Sequence, residues 1–260
     1  MLLRKKYNGL GRGKSRKKNR IYLMIAVIVL SCNDAQYAKD CIESVALMSN
    51  NETPQEIILV DNGCDQANRA ILESISFVNR RIRRETNLGL PVGYNIGIAD
   101  AIERGSDYVC LLNADTKIET RGWLKNMLGI IECHEKVGMV AAMTNKIANK
   151  VQNWKRYGCK LPGTALKAKW VGLGMTLIPA GVIREAGYLD ENMTPGGGVD
   201  VEYSLRVRNL GYELYVDGNT YVWHKGKVAF KLLKTPYNYY NKRNIVHIKK
   251  KHPTTWKKVL

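Results

Sequence analysis

The sequence lacks a hydrophobic run long enough to cross a membrane as a helix. The apolar part of IYLMIAVIVLSC, at residues 21–32, has about eleven residues, whereas a membrane-spanning helix needs about 20. With the basic stretch before it, this run resembles a signal peptide, and VLSC resembles a lipoprotein cleavage site. However, the run is rich in Ile and Val and ends in polar residues, which is typical of a buried first strand. We therefore expect a first strand here and no integral membrane span.

The sequence also lacks the cysteine spacings of zinc sites and redox motifs. Its six cysteines are scattered, with no C-x-x-C pair and no metal-ligand spacing. Cys32 and Cys110 lie in or beside strand-like runs, where a thiol usually acts as a small buried apolar group. This pattern favours a reducing compartment over a disulfide framework. We expect a cytoplasmic protein, with peripheral binding to the inner face of the membrane as an alternative.

Both ends of the chain lack acidic residues. Residues 1–20 contain nine Lys and Arg, and residues 225–260 contain eleven. The remaining residues, 21–224, contain 21 basic and 23 acidic residues, a net charge of −2, although the whole chain has +18. Basic ends on a nearly neutral body suit a polyanionic partner, either nucleic acid such as DNA or an anionic membrane. Solvated tails that only aid solubility are the alternative. The chain is thus expected to have a basic N-terminal arm (1–20), a body (21–224) and a basic C-terminal extension (225–260).

The body begins with alternating strand-like and helix-like segments. Between residues 24 and 116, short apolar runs alternate with segments of helical periodicity. This order predicts an α/β fold with a mostly parallel sheet and helices on both faces. The second half is less regular, and residues 212–224 (YELYVDGNTYVWH) are expected to form a pair of strands.

Polar side chains follow three of the predicted strands. They are Ser31 and Asn33, Asp61 and Asn62, and Asn113 and Asp115. Each pair on its own is explained by a turn, because Asn and Asp favour turns and helix caps. Ligands of parallel sheets, however, bind beyond the carboxyl ends of the strands. Three such pairs at one edge therefore predict a binding site.

Seven segments occur in an order that resembles family 2 glycosyltransferases. They are VIVLSCN, EIILVDNG, NLGLPVGYNIGI, LLNADT, GLGMTLIPAGVIREAGYLDE, VDVEYSLRVRNLG and VWH. The resemblance covers roughly residues 24–250 and is greatest to a rhamnosyltransferase-like branch. It implies the GT-A fold, in which a Rossmann-like nucleotide-binding half with a mostly parallel central sheet is fused to a smaller acceptor-binding half. In this chain the halves would be residues 21–116 and 117–224.

The resemblance implies a metal-dependent, inverting transfer of a sugar. A departing diphosphate requires charge stabilisation, which a divalent metal with oxygen ligands provides. Asn113-Ala114-Asp115 matches the N-x-D form of the family's metal motif, so Asp115 would hold Mn²⁺ or Mg²⁺. His224 matches a family histidine that adds a nitrogen ligand. Asp200 matches the general base that takes the proton of the acceptor hydroxyl.

The remaining site residues follow from the same resemblance. Asp61 would read the nucleotide base, while Ser31 and Asn33 would line the nucleotide pocket. Asn95 would bind the donor, and Asn113 would face the ribose or the donor sugar. The other predicted contacts to substrate are made by Trp170, at the floor of the acceptor site, by Glu202 and by Arg206. The usual Glu before the base is Val199 here, and Glu202 replaces an Asp.

The expected function is transfer of a sugar from a UDP- or dTDP-linked donor to a hydroxyl acceptor. A bacterial-type envelope glycan or glycolipid is the acceptor that the family implies. One alternative is a phage-type enzyme that glycosylates hydroxylated bases of DNA, which the basic arm at 1–20 suits. Another is a catalytically dead GT-A fold that binds nucleic acid or membrane through its basic tails.

Overall fold

The computed structural model describes residues 23–49, 53–226, 228 and 237–258. The predicted N-terminal arm at 1–20 lies outside the described residues. The strands are β1 (Ile25–Ser31), β2 (Gln55–Asn62), β3 (Arg80–Arg84), β4 (Tyr108–Asn113), β5 (Thr116–Ile118), β6 (Val137–Thr144), β7 (Ala165–Ala168), β8 (Met175–Pro179) and β9 (Glu213–His224). The α-helices are α1 (Ala35–Met48), α2 (Gln66–Ser74), α3 (Leu90–Glu103), α4 (Trp123–Cys133), α5 (Ala180–Ala186), α6 (Val199–Asn209) and α7 (Tyr237–Lys251). Short 3-10 helices occur at Trp154–Tyr157, Glu191–Met193 and Trp256–Lys258.

The first four strands form the predicted parallel sheet. The strand order of the whole sheet is β3-β2-β1-β4-β8-β6-β9-β5, and β7 pairs with β9. Strands β3, β2, β1 and β4 are parallel neighbours, with Ser31 beside Asp61 and Leu30 beside Asn113 in register. The carboxyl ends of β1, β2 and β4 therefore meet at one edge, as the polar residues after these strands predicted.

The second half of the sheet is mixed. Strand β8 is antiparallel to both β4 and β6, while β9 is parallel to β6 and antiparallel to β5 and β7. The predicted strand pair at 212–224 is wrong, because the structure has one long strand, β9, with a register shift. The shift occurs near Gly218, where an added Cβ would lie 2.3 Å from the carbonyl oxygen of Thr164. A side chain cannot fit at this close approach, so the chain bulges without turning back.

Helices cover both faces of the sheet. On one face, Ala38, Ile42 and Val45 of α1 have helical spacing and pack with α2 and α4 against the sheet. On the other face, α3, α5 and α6 pack against the alternate strand residues, with Tyr94 and Tyr203 fully or almost fully buried. This three-layer arrangement leaves the carboxyl edge of the sheet free of helices, and the site lies there.

Helix α7, in the predicted C-terminal extension, packs against the body. Ile248 on α7 is fully buried and belongs to the same apolar cluster as α6. Asn244 on the same side of α7 is also fully buried. In the described part of the chain, no helix is both long and apolar enough to cross a membrane.

Candidate functional site

A cavity of about 780 Å³ opens at the carboxyl ends of β1, β2 and β4. Its lining includes four of the residue groups expected at the site: Asn113 and Asp115 after β4, Trp170 before β8, Asp200 on α6 and His224 at the end of β9. These residues come from both halves of the sequence. The structure therefore brings the predicted metal ligands and the predicted base into one cavity.

Pairing of two short strand segments places His224 beside Asp115. Strand β5 begins one residue after Asp115 and runs antiparallel to the end of β9, with Thr116 opposite His224. Nε2 of His224 lies 3.1 Å from Oδ1 of Asp115. The other carboxylate oxygen, Oδ2, accepts a hydrogen bond of 3.0 Å from the backbone N–H of Gly226. Asp115 is only 8% exposed, so this carboxylate has a fixed position at the wall of the cavity.

Hydrogen bonds fix the orientation of the His224 ring. Its Nδ1 donates to the carbonyl oxygen of Lys146 at 3.1 Å, which leaves Nε2 directed towards Asp115. Burial would lower the pKa of His224, but the hydrogen bond and the charge of Asp115 raise it above its ordinary value. Burial would likewise raise the pKa of Asp115, but the partner His224 and backbone N–H groups hold it below its usual value. Each residue thus stabilises the charged form of the other.

The donor set of this pair fits a divalent cation that also has ligands from the substrate. A ring whose Nδ1–H is bound to a carbonyl presents the Nε2 lone pair, the arrangement common in metal-ligating histidines. Carboxylate oxygen and imidazole nitrogen together suit Mn²⁺, and the oxygen suits Mg²⁺. Among the described residues, no group of three or more His, Cys, Asp and Glu side chains could enclose a metal. Phosphate oxygens of a bound donor would have to complete the coordination.

Asn113 presents an amide to the cavity and is held from behind by Tyr94. The hydroxyl of Tyr94 donates to Oδ1 of Asn113 at 2.8 Å. This bond turns Nδ2 towards Gly174, where an added Cβ would lie 2.8 Å from that nitrogen. Both Tyr94 and Gly174 line the cavity. Asn113 therefore presents a hydrogen-bond donor in a space that only a glycine at position 174 leaves open.

Asp200 lies in the first turn of α6 and lines the same cavity. Helix α6 begins after Gly198, which has a left-handed φ of 75°. Oδ1 of Asp200 accepts a hydrogen bond of 3.0 Å from the N–H of Val201. Burial raises the pKa of Asp200 to about 6, against the lowering effect of that bond. A carboxylate with this pKa is mostly ionised at neutral pH and is more basic than an ordinary Asp.

The predicted nucleotide residues lie at the β1 and β2 ends, but they have partners within the protein. Ser31 donates from Oγ to Asp34 Oδ1 at 2.6 Å, and Asn33 accepts from the N–H of Asp65 at 2.7 Å. One carboxylate oxygen of Asp61 accepts from the N–H of Cys64, and the other lies 3.4 Å from Nε of Arg69. Ser31, Asn33 and Asp61 are not among the residues that line the cavity, although neighbouring Cys32 and Asn62 are.

Asn95, Glu202 and Arg206 differ most from the sequence expectation. The amide of Asn95 is fully engaged, because it exchanges hydrogen bonds of 2.9 Å with the backbone of Leu189 and donates to Glu191. Glu202 is completely buried and binds both Nε and Nη2 of Arg206. Arg206 also donates to the carbonyl oxygens of Ala186 and Tyr188. These three side chains therefore join α3 and α6 to the segment after α5, away from the cavity lining.

The sequence interpretation missed Asp34 and Lys146, which also line the cavity. Asp34 accepts hydrogen bonds from Ser31 and from the N–H of Cys32, while burial raises its pKa to about 6. Its place in the polar run after β1 could have indicated it. Lys146 had no such signal, because only the folded chain brings the loop after β6 to His224. The Lys146 ammonium donates to the carbonyl of Lys225 at 2.7 Å.

Solved structures of glycosyltransferases share this fold. GalNAc-T7 with UDP, GalNAc and Mn²⁺ has a TM-score of 0.62 at 13% identity, over 79% of this chain and 44% of that chain. S. aureus TarS 1-349 in complex with UDP-GlcNAc has 0.65 at 15%, over 89% and 67%. The mannosyltransferase PcManGT from Pyrobaculum calidifontis with GDP-Man and Mn²⁺ has 0.62 at 14%, over 86% and 61%. This chain thus spans about half to two thirds of the length of these proteins, and the likeness confirms the predicted GT-A fold.

The sequence itself matches a family over most of the body. No curated protein matches the sequence. Residues 26–191, from the second residue of β1 to the segment after α5, match the family described as glycosyl transferase family 2. The match includes Asn113 and Asp115 and covers more than half of the chain. The chain therefore belongs to glycosyl transferase family 2.

Proposed function

We propose that this glycosyltransferase moves a sugar from a nucleotide diphosphate sugar to a hydroxyl acceptor, with metal dependence and inversion at the anomeric carbon. The observation that carries the proposal is that Asp115, His224 and Asp200 line one cavity. A catalytically inactive fold would not require these three residues in one cavity. Consistent with the proposal, similar structures contain UDP or GDP-Man with Mn²⁺.

Asp115 and His224 would hold the divalent ion, Mn²⁺ or Mg²⁺. When bound, the ion supplies Lewis-acid stabilisation of the negative charge that develops on the departing diphosphate. The protein's own part is to orient the ligands. The carbonyl of Lys146 fixes the His224 ring, and the N–H of Gly226 fixes the carboxylate of Asp115. Preorganised ligands need no rearrangement when the charge develops.

Asp200 would act as the general base. Its carboxylate accepts the proton of the acceptor hydroxyl as the hydroxyl oxygen bonds to the anomeric carbon and the bond to the diphosphate breaks. Attack from the face opposite the diphosphate gives inversion. A pKa of about 6 suits this role, because the group is ionised at pH 7 and still has substantial proton affinity.

The donor would occupy the part of the cavity formed by residues 21–116, and the acceptor the part formed by 117–224. The N–H₂ of Asn113 can donate to the ribose or the donor sugar, because Tyr94 turns it towards the cavity. Asp61, with Ser31 and Asn33, would read a uracil-type base of a UDP- or dTDP-linked donor that extends past the lining residues Cys32 and Asn62. The motif order further favours a hexosyl or deoxyhexosyl donor of the rhamnosyltransferase-like type.

Trp170 would form the floor of the acceptor site, and its carbonyl accepts a hydrogen bond from Asn149. Asn95, Glu202 and Arg206 would affect the substrate indirectly, because they position the segment after α5 and the start of α6. A glycan or glycolipid at an anionic membrane surface is the favoured acceptor. Helix α7 supports it, since its solvent side has Lys242, Lys249 and Lys250 around Val246, which is 67% exposed.

Calorimetric titration tests the donor site. UDP-sugars and dTDP-sugars are titrated into the wild type and into Asp115→Asn, each with and without Mn²⁺. Asp40→Asn is the matched control, because Asp40 is an exposed carboxylate on α1 whose hydrogen-bond partner among the described residues is Gln36. We expect metal-dependent donor binding in the wild type and the control but not in Asp115→Asn. Absence of metal-dependent binding in the wild type for every donor would overturn the proposal.

A further inference from the structure

The side-chain amide of Asn244 on α7 holds the loop that precedes Asp200. Its Nδ2 lies 3.0, 2.7 and 2.8 Å from the carbonyl oxygens of Met193, Gly196 and Gly197. Its Oδ1 accepts from Nε and Nη2 of Arg243 at 3.0 and 2.9 Å. Every polar atom of this fully buried amide therefore has a partner in or beside the loop.

Arg243 extends the same interaction. Besides binding Asn244, its Nη2 donates to the carbonyl oxygen of Thr194. Consecutive residues of α7 thus bind four backbone carbonyls between residues 193 and 197. Two backbone bonds also restrain the segment, from the N–H of Gly196 to the carbonyl of Met193 and from the N–H of Leu90 to the carbonyl of Pro195. The carbonyls of Thr194, Gly196 and Gly197 are bound by the α7 side chains, which therefore help to fix where the loop lies.

The loop held in this way forms part of the cavity. Pro195, Gly197, Gly198 and Val199 line it together with Asp200. Gly196, Gly197 and Gly198 all have positive φ. Because glycine can adopt many backbone conformations, the loop could take others in the absence of an external restraint. The loop ends at the first turn of α6, which contains Asp200. A displacement of the loop would therefore shift the Asp200 carboxylate relative to Asp115 and His224, which line the same cavity.

We propose that Asn244, with Arg243, is a positioning residue for the base Asp200 and for the acceptor side of the cavity. This inference rests on the proposed function, because it assigns Asn244 to the same reaction. The amide acts by donating, and a carboxylate of the same shape cannot donate. Asp at this position would instead face three carbonyl oxygens with a negative charge.

The test compares Asn244→Asp and Asn244→Ala with Asn209→Ala. Asn209 is an exposed residue at the end of α6 that contacts His252 and Thr255, and thus joins the C-terminal segment to the body without touching the loop. Steady-state transfer and donor titration with Mn²⁺ are measured on the full chain. We expect both Asn244 variants to lose about 10²-fold in kcat, the usual effect of a small misplacement. The KM for donor and the affinity for UDP with Mn²⁺ should stay within about twofold.

Hydrogen exchange separates this inference from the proposed function. Backbone amides in residues 193–200 should exchange faster in the Asn244 variants than in the wild type or Asn209→Ala, whether or not a transferase substrate is known. Arg243→Ala provides a second, milder variant that should change both readouts in the same direction. Unchanged kcat, or exchange in the loop that equals that of the control, would overturn the positioning role. Donor affinity that falls in parallel with kcat would also overturn it, since a general loss of structure would then explain the effect.

Discussion

His224 and Asp115 are 109 positions apart in the sequence, yet Nε2 and Oδ1 lie 3.1 Å apart at the cavity wall. The pair forms because β5 and the end of β9 are adjacent strands, and because Lys146 holds the opposite side of the ring. The pair therefore combines residues from two separate sequence motifs, the Asp of N-x-D and the final histidine of VWH. Together the two side chains offer one oxygen and one nitrogen at the same point of the cavity wall.

His224→Ala should therefore weaken Mn²⁺ binding without preventing folding. Loss of one of two protein ligands should lower the affinity for Mn²⁺ in the presence of UDP by about tenfold or more. His134→Ala is the control, because His134 follows α4 and, within the described part of the chain, bonds the carbonyl of Ile130 and packs against the ring of Tyr215. Titration of Mn²⁺ into protein with UDP measures the effect. Equal affinity in the two variants would remove His224 from the metal site.

Asp200→Asn should separate donor binding from turnover. The amide cannot accept the acceptor proton, so kcat should fall by about 10²–10⁴-fold while donor affinity is retained. In the wild type, kcat/KM should decrease as the pH falls below about 6, because protonation of Asp200 removes the base. A pH–rate profile of the wild type and single-turnover assays of the variant measure both effects. A variant with normal turnover of bound donor would show that Asp200 only caps α6.

The same substitution should stabilise the protein at neutral pH. The folded pKa of Asp200, about 6, is above its ordinary value of 3.8, so the folded state binds the proton more strongly than the unfolded state. Stability thus falls as the pH rises from about 4 to 6, and the ionised group remains unfavourable above that range. Asp200→Asn should gain about 1–3 kcal/mol at pH 7 and little at pH 4. Urea denaturation at the two pH values measures the difference.

The sequence predicted the elements that local patterns determine. Apolar runs predicted β1, β2 and β4, and the polar residues after these strands predicted the edge with Asn113 and Asp115. The partners of Asn95 and Glu202 could not be predicted, because they depend on which helices meet in three dimensions. The same is true of Asn244, whose loop partners lie 47 or more positions away. The single strand β9 was also missed, since Asp217-Gly218-Asn219 has the composition of a turn but forms a bulge.

Gly174→Ala should disturb Asn113 and reduce donor affinity. The new Cβ would lie 2.8 Å from Nδ2 of Asn113, so the amide must move from the position that Tyr94 fixes. Gly129→Ala is the control, because Gly129 is in α4 and its Cβ would meet open space. We expect weaker donor binding for Gly174→Ala and a slightly more stable protein for Gly129→Ala. Donor affinity equal to that of the wild type would exclude an interaction of Asn113 with the donor.

Glu202→Gln should destabilise the junction between α6 and α7. Glu202 is fully buried and lies within 3.2 Å of basic atoms of Arg206, Lys251 and His252. Burial acts to raise the pKa of Glu202, but hydrogen bonds and charges of Arg206 and Lys251 hold it below its ordinary value. Loss of the charge leaves the largely buried Arg206 without its carboxylate partner, whereas Lys251 keeps its ion pair with Asp190, so the cost should be about 3 kcal/mol, the lower end of the range for a broken buried pair.

Glu213→Gln is the surface comparison for this cluster, because Glu213 pairs with Lys167 where both side chains are about half exposed or more. It should cost at most about 1 kcal/mol. Because the folded pKa of Glu202 is depressed, its contribution is present above about pH 4.5 and lost as the pH falls below that value. Urea denaturation at pH 7 and pH 3.5 should therefore show a larger difference between the variants at the higher pH. A similar small cost for both variants would mean that the cluster does not hold α7.

Charge reversal on the solvent side of α7 tests whether the acceptor is bound at an anionic membrane or is DNA. Lys242, Lys249 and Lys250 are exposed, and residues 225–260 contain no acid that could compensate them. Each basic residue near an anionic membrane contributes about 1 kcal/mol, so Lys→Glu at these three positions should weaken binding to phosphatidylserine vesicles by about 10²-fold or more. On duplex DNA, the slope of log K against log salt should change by about 0.9 for each phosphate that the variant no longer neutralises. Hydrolysis of donor in the absence of acceptor should stay unchanged, since these side chains do not line the cavity.

Vesicle binding that disappears in the variant, while DNA binding is weak in both proteins, would support a membrane glycolipid acceptor. The opposite pattern would favour glycosylation of DNA, and no change on either surface would direct the search to neutral glycans.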